Sequence, residues 1–253
     1  KSLKNKGIIS LKPRETIDVR LELIDLHGNN IRIEIPVMGT LNEAIVKKTL
    51  FKTPFPVLFK NPAHYKLTHG SLYFPANSFY EDVYLNLETS RDTIKVHKPM
   101  WAVKKPFTLS FNSENSAFSK YSYIAYRLGS KSFIYSSTKK EGEWLSTKTN
   151  KLGTYVIQQD SIPPSIRPKN FKGNQNIRNY QFLSLEIKDQ ETGIDTYTGS
   201  LNGEWILMEY EPKTNTLTHH IGARTKLKKN NELKIEVVDM LGNTQVYTTL
   251  LLL

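Results

Sequence analysis

A chain of 253 residues with a net charge of +11 and no cysteine is too long for one small sandwich and suits two or three compact modules. Its hydrophobic share of 38% can fill real cores, and the lack of cysteine excludes disulfides, thiolate zinc sites and cysteine nucleophiles without fixing a compartment. No apolar run approaches the length of a membrane span, so no transmembrane segment is expected.

The opening KSLKNKG lacks the apolar core of a signal peptide. In DVRLELID, Val19, Leu21 and Leu23 face one way while Arg20 and Glu22 face the other, the period of a strand. Asp25, Gly28 and Asn29 then mark a hairpin loop: the carboxylate can accept loop amides, and Gly supplies a left-handed residue. Pro36 and Gly39 mark the exit from this hairpin. LNEAIVKKTL (41–50) is the one stretch with helical spacing. YSYIAYRLGSKSFIYSS (121–137) reads as a hairpin with Gly129 in its turn. QQDSIPPSIRPKN (158–170) reads as a linker stiffened by Pro163, Pro164 and Pro168. Asn202-Gly203 is a two-residue hairpin turn, and EPKTN (211–215) is a further turn.

The end of the chain repeats its start. In ELKIEVVD, Leu233, Ile235 and Val237 alternate as Val19, Leu21 and Leu23 do, and Asp239, Gly242 and Asn243 reproduce the earlier loop. TTLLLL reads as a last buried strand. Turn signals recur about every ten residues, the spacing of an antiparallel sandwich. The fold class expected is all-β: tandem antiparallel β-sandwich modules of immunoglobulin-like type. Residues 1–40 form the terminal hairpin of a module whose front half is expected upstream, or one that leans on its neighbour, 41–160 a middle module, and 161–253 a C-terminal module. About sixteen residues before the first copy of the repeat are too few for a core.

Charge is unevenly spread: residues 41–160 hold 17 Lys/Arg against 9 Asp/Glu, and residues 161–253 hold 11 against 10. A basic middle module suits an anionic neighbour such as an envelope polymer, although a solvated lysine-rich surface is the plainer reading. The basic residues come singly or in pairs, as in Lys104-Lys105, so nucleic-acid binding is not expected.

Motifs for chemistry are missing. The histidines His27, His64, His69, His97, His219 and His220 show no H-E-x-x-H and no H-x-H, and adjacent strand residues such as His219 and His220 point to opposite faces. His64 and His69 sit in a loop-like stretch. Gly-x-Ser-x-Gly and Gly-rich phosphate loops are absent. Asp189, Glu191 and Asp195 could bind calcium at a module edge; alternatively Asp189 bonds to loop amides, Gly193 takes the unusual φ and Ile194 re-enters the core. Trp101, Trp144 and Trp205 could stack on sugars or belong to strand packing. No catalytic, cofactor-binding or metal-binding residue is assigned.

PPSIRPKNF, LSLEIKDQETGIDTYTGSLNGEWILMEYEPKTNTLTHH and NELKIEVVDMLGNTQVY resemble the C-terminal immunoglobulin-like module of bacterial lysostaphin-type zinc endopeptidases, which cut peptidoglycan cross-links. SLYFPANSFYEDVYLNLE, PFTLSFN, YIAYR and LGTYVIQQDSIPP extend the resemblance to the middle module, and GIISLKPRETIDVRLELIDLHGNNIRIEIPV to the start. In that family the peptidase domain lies upstream and holds zinc by a His-x-x-x-Asp pair and a His of a His-x-His motif. Neither motif occurs at the histidines here. The resemblance therefore implies an accessory region without cofactor, zinc being expected only in the absent peptidase domain. Its partners would be that domain, in the same parent chain, and an anionic envelope polymer or peptidoglycan. The setting would be periplasmic, outer-membrane-associated or extracellular. The alternative is a free-standing cell-surface module that binds or adheres to a glycan or protein.

Overall fold

The computed structural model describes residues 9–41, 53–113, 118–222 and 225–253. The described residues are all-β, with no helix among them, and every ladder is antiparallel except one short parallel pair. The stretch with helical spacing lies outside the described residues from position 42. The chain divides into two compact units, residues 1–50 and 51–253.

The first unit is a two-stranded ribbon, β1 (Thr16–Ile24) and β2 (Asn30–Met38). Its register pairs Val19 with Ile35, Leu21 with Ile33 and Leu23 with Ile31, so one face is apolar. The other face pairs Arg20 with Glu34 and Glu22 with Arg32. Arg20 and Arg32 both donate to Glu34 Oε1, at 3.2 and 2.7 Å, in exposed contacts that contribute little. At the base, Gly39 donates to the Glu15 carbonyl and accepts from Arg14, both at 2.8 Å. A Cβ on Gly39 would sit 2.1 Å from the Lys12 carbonyl oxygen, so this closure requires glycine. Within this unit no second layer covers the apolar face, on which Leu21 is 52% exposed and Leu23 69%.

The second unit begins with β3 (Phe55–Val57), β4 (Ala63–Leu67), β5 (Gly70–Phe74), β6 (Val83–Leu85), β7 (Leu87–Ser90), β8 (Thr93–Val96) and β9 (Phe107–Asn112). It continues with β10 (Ser122–Arg127), β11 (Phe133–Ser136), β12 (Lys139–Glu141), β13 (Trp144–Thr149) and β14 (Gly153–Gln159). Two five-stranded sheets result, β11-β10-β14-β8-β7 and β12-β13-β9-β5-β4, with β3-β6 beside them. Alternation builds the core between them. In β9, Phe107, Leu109 and Phe111 are wholly buried while Thr108, Ser110 and Asn112 are not. Ile94, Val96, Ile124 and Tyr155 meet them from the other sheet. Each such buried side chain contributes on the order of 1.5–3 kcal/mol. His64 lies in β4, so NPAHYKLTHG is a strand hairpin rather than a loop; its Ala, Tyr and Leu pack inward.

A second sandwich follows: β15 (Ser165–Pro168), β16 (Gln175–Asn176), β17 (Phe182–Lys188), β18 (Ile194–Leu201), β19 (Glu204–Ile206), β20 (Glu209–Glu211), β21 (Thr216–His220), β22 (Asn230–Asp239) and β23 (Thr244–Leu252). Sheet β15-β17-β21-β20 packs on sheet β16-β23-β22-β18-β19. Asn202 and Gly203 both take positive φ, 56° and 80°, the type I′ turn their sequence suggests. The segment expected to be a free linker is half strand: Ser165–Pro168 pairs with β17. Pro168 is tolerated there because β15 is an edge. The last leucines form β23, but only Leu251 is fully buried, since one face of that sheet is open.

Candidate functional site

Three loops meet where the two sandwiches join, and each is organised by one aspartate. Asp160 follows β14. Its Oδ1 accepts the Ile162 amide at 3.0 Å, and its Oδ2 accepts the Thr192 hydroxyl at 2.9 Å. Asp189 follows β17. Its Oδ1 accepts the amides of Glu191, Thr192 and Gly193 at 3.0, 2.7 and 2.8 Å, and Gly193 takes φ +90°. Asp239 ends β22. Its Oδ1 accepts the amides of Leu241 and Asn243 at 2.8 and 2.9 Å, and its Oδ2 accepts Asn243 Nδ2 at 2.7 Å.

These loops also hold one another. Asn243 Nδ2 donates to the Asp160 carbonyl at 3.1 Å, and the Met240 amide donates to the Gly193 carbonyl at 3.2 Å. Leu241 packs against Tyr123, Ala125 and Val156 with Tyr135 beside it. Strand β10 is therefore buried on both faces: Ile124 enters the middle core, and Tyr123 and Ala125 face the C-terminal module. The Tyr123 hydroxyl donates to Glu191 Oε2 at 3.4 Å. Burial, and then the charges of Glu191 and Asp160, push that phenol well above its ordinary range. Burial, and then Asp160, push the Glu191 carboxyl up.

Carboxylate oxygens of Asp160, Asp189 and Asp239 lie within 4.8 Å of one another. Such a trio could offer three oxygens to calcium, which takes six to eight. The loop amides, Thr192 and Asn243 already occupy both oxygens of Asp160 and Asp239. The same hydrogen bonds that build the three Asp-headed turns bring these carboxylates together. Of the residues singled out in sequence, Asp189 joins the trio, Glu191 turns to Tyr123, and Asp195 does not join. A register shift between Ile194 and Thr196 displaces Asp195 from the ladder and leaves it exposed. Asp239 is legible as the head of its own loop, but neither it nor Asp160 groups with Asp189 in the sequence, because both lie far from it along the chain. The signal available was an Asp heading a turn, as in Asp239-x-x-Gly242.

The histidines do not converge. His219 is buried with both ring nitrogens engaged, Nδ1 with the Leu207 carbonyl at 2.9 Å and Nε2 with the Thr225 hydroxyl at 3.2 Å. His220 points outward and approaches Glu209 at 3.7 Å. His97 takes φ 54°, accepts the Asn86 amide at 2.9 Å and stacks on Trp101 at 4.4 Å. Burial, with help from Lys98, pushes its pKa down. Trp101 is thus a packing residue, whereas Trp144 and Trp205 are exposed on different modules.

Residues 57–160 match the family model described as a Zu5-like domain, a β-rich domain family, and the match ends on Asp160 at the junction. No curated protein matches the chain.

Proposed function

We propose that this chain is a non-catalytic accessory region whose β-sandwich modules position or stabilise an upstream zinc endopeptidase domain acting on peptidoglycan at the cell envelope. The junction carries this reading. Asp160, Thr192 and Asn243 tie the two sandwiches by hydrogen bonds, and Leu241 seals them with apolar contact. Modules in one chain move relative to each other by default, so a tie of this kind restrains a hinge. A spacer that holds a catalytic cleft at a fixed distance needs that restraint. Zinc chemistry would belong to the peptidase domain, and the basic middle module would be drawn to anionic envelope material.

The β1–β2 ribbon supports the same reading. Leu233, Ile235 and Val237, the counterparts of its Val19, Leu21 and Leu23, are wholly buried beneath an opposing sheet. A two-stranded ribbon with an open apolar face is marginal by itself. The reading assigns the missing layer to the upstream domain. The coding sequence before Lys1 tests it: His-x-x-x-Asp and His-x-His motifs are expected there. A start codon directly before Lys1 and no such motifs would overturn the proposal.

A further inference from the structure

The middle sandwich has a trough of about 600 Å³ on the outer face of β12-β13-β9-β5-β4. It follows from alternation. Leu72, Leu109 and Leu145 point into the core, so their neighbours point out. Ser71, Ser110 and Ser146 stand directly opposite one another across three adjacent strands. The row spans two inter-strand gaps, about 9–10 Å. One wall is Trp144, two residues from Ser146 on the same face and 40% exposed. The other wall is His64, held edge-on by Tyr73 at 6.4 Å, together with Lys66.

The geometry points to a binding site for a chain of pyranose rings. The serine hydroxyls have no hydrogen-bond partner among the described residues, and each can both donate and accept. A sugar offers the matching set: hydroxyls around its rim and an apolar C–H face for an aromatic ring. An uncovered indole costs free energy in water that such a face recovers. Other ligand classes fit less well. An anion clamp wants convergent cations, yet Lys139 at the far end of the serine row is paired with Glu141. An extended peptide adds to a sheet edge, whereas Ser110 lies on a central strand. This inference does not depend on the scaffold reading, and a chain lacking any peptidase partner could still bind in this way.

The test is calorimetric titration of the full chain with chitotetraose and with cellotetraose, which separates N-acetylated from plain rings. Binding of at least one is expected. Trp144→Ala should weaken it about tenfold, and Ser110→Tyr, filling the trough from an outward position, should abolish it, with melting temperatures unchanged. Nitrogen-15 spectra of the unmodified chain serve if a variant misfolds: the Trp144 indole resonance, assigned by Trp144→Phe, should shift on titration. No binding of either sugar at millimolar concentration would overturn the inference. So would binding that survives both variants, or a shift confined to Trp205.

Discussion

The Asp25 and Asp239 loops are the same object in opposite surroundings. In each, the aspartate Oδ1 accepts two loop amides, at 2.9 and 2.9 Å in the first copy and 2.8 and 2.9 Å in the second. In each, the asparagine Nδ2 reaches Oδ2 at 2.7 Å, and the glycine sits at φ +82° or +86°. Asp25 is exposed, whereas Asp239 is completely buried. Local hydrogen bonding therefore builds the loop without tertiary help. Its use is set by the third position: His27 in the exposed copy, and in the buried one Leu241, which plugs a cage of Tyr123, Ala125 and Val156.

Breaking the buried copy should have the largest effect. Asp239→Ala leaves the Leu241 and Asn243 amides without their acceptor in a buried site and Asn243 Nδ2 with only the Asp160 carbonyl, and should destabilise the C-terminal module by about 3 kcal/mol. Urea unfolding followed by tryptophan fluorescence measures this. Asp25→Ala should leave that transition in place, and equal shifts would erase the distinction between the copies. Next is Leu241→His, which gives the second loop the residue of the first. It sets a polar ring in an apolar cage, at a cost of about 2 kcal/mol. Amide exchange should quicken at Asp160 and Ile162, and unchanged exchange would mean that Leu241 does not hold the junction.

Acidity should produce the smallest effects, and the two shifted groups act oppositely. His97 has a folded pKa below the unfolded value of 6.5. Its contribution is present above pH 6.5 and is lost as pH falls through the folded value. Glu191 has a folded pKa above 4.5. Its contribution is fully present below pH 4.5 and is lost as pH rises through the folded value. Glu191→Gln should remove only the second trend from melting curves between pH 4 and 7. A melting profile unchanged by that substitution would show that Glu191 is too well solvated to matter.

The strand period, the Asn202-Gly203 turn and the Asp-headed loops were legible in the sequence because each depends on neighbours within a few residues. The junction was not. Asp160, Asp189 and Asp239 come together only when two sandwiches are placed, and no spacing in the chain encodes that approach. Strand β10 hides its second buried face for a related reason. SYIAYR reads as an ordinary sandwich strand, yet Tyr123 and Ala125 are buried by a loop more than a hundred residues away. Only proximity in the chain groups Asp195 with Asp189 and Glu191, and the register shift between Ile194 and Thr196 separates it from them. Asp160 lies in the proline-rich stretch 158–170, where Pro163 and Pro164 carry the linker signal and nothing local marks the aspartate.

If the role of these modules is spatial, the polypeptide by itself performs no peptidoglycan chemistry. Incubating it with purified sacculi and zinc, and separating the soluble products by chromatography, puts that to the test. A trace matching the protein-free control is the outcome expected here. Soluble muropeptides that appear with the chain and vanish on chelation would mean that it carries a hydrolytic centre of its own.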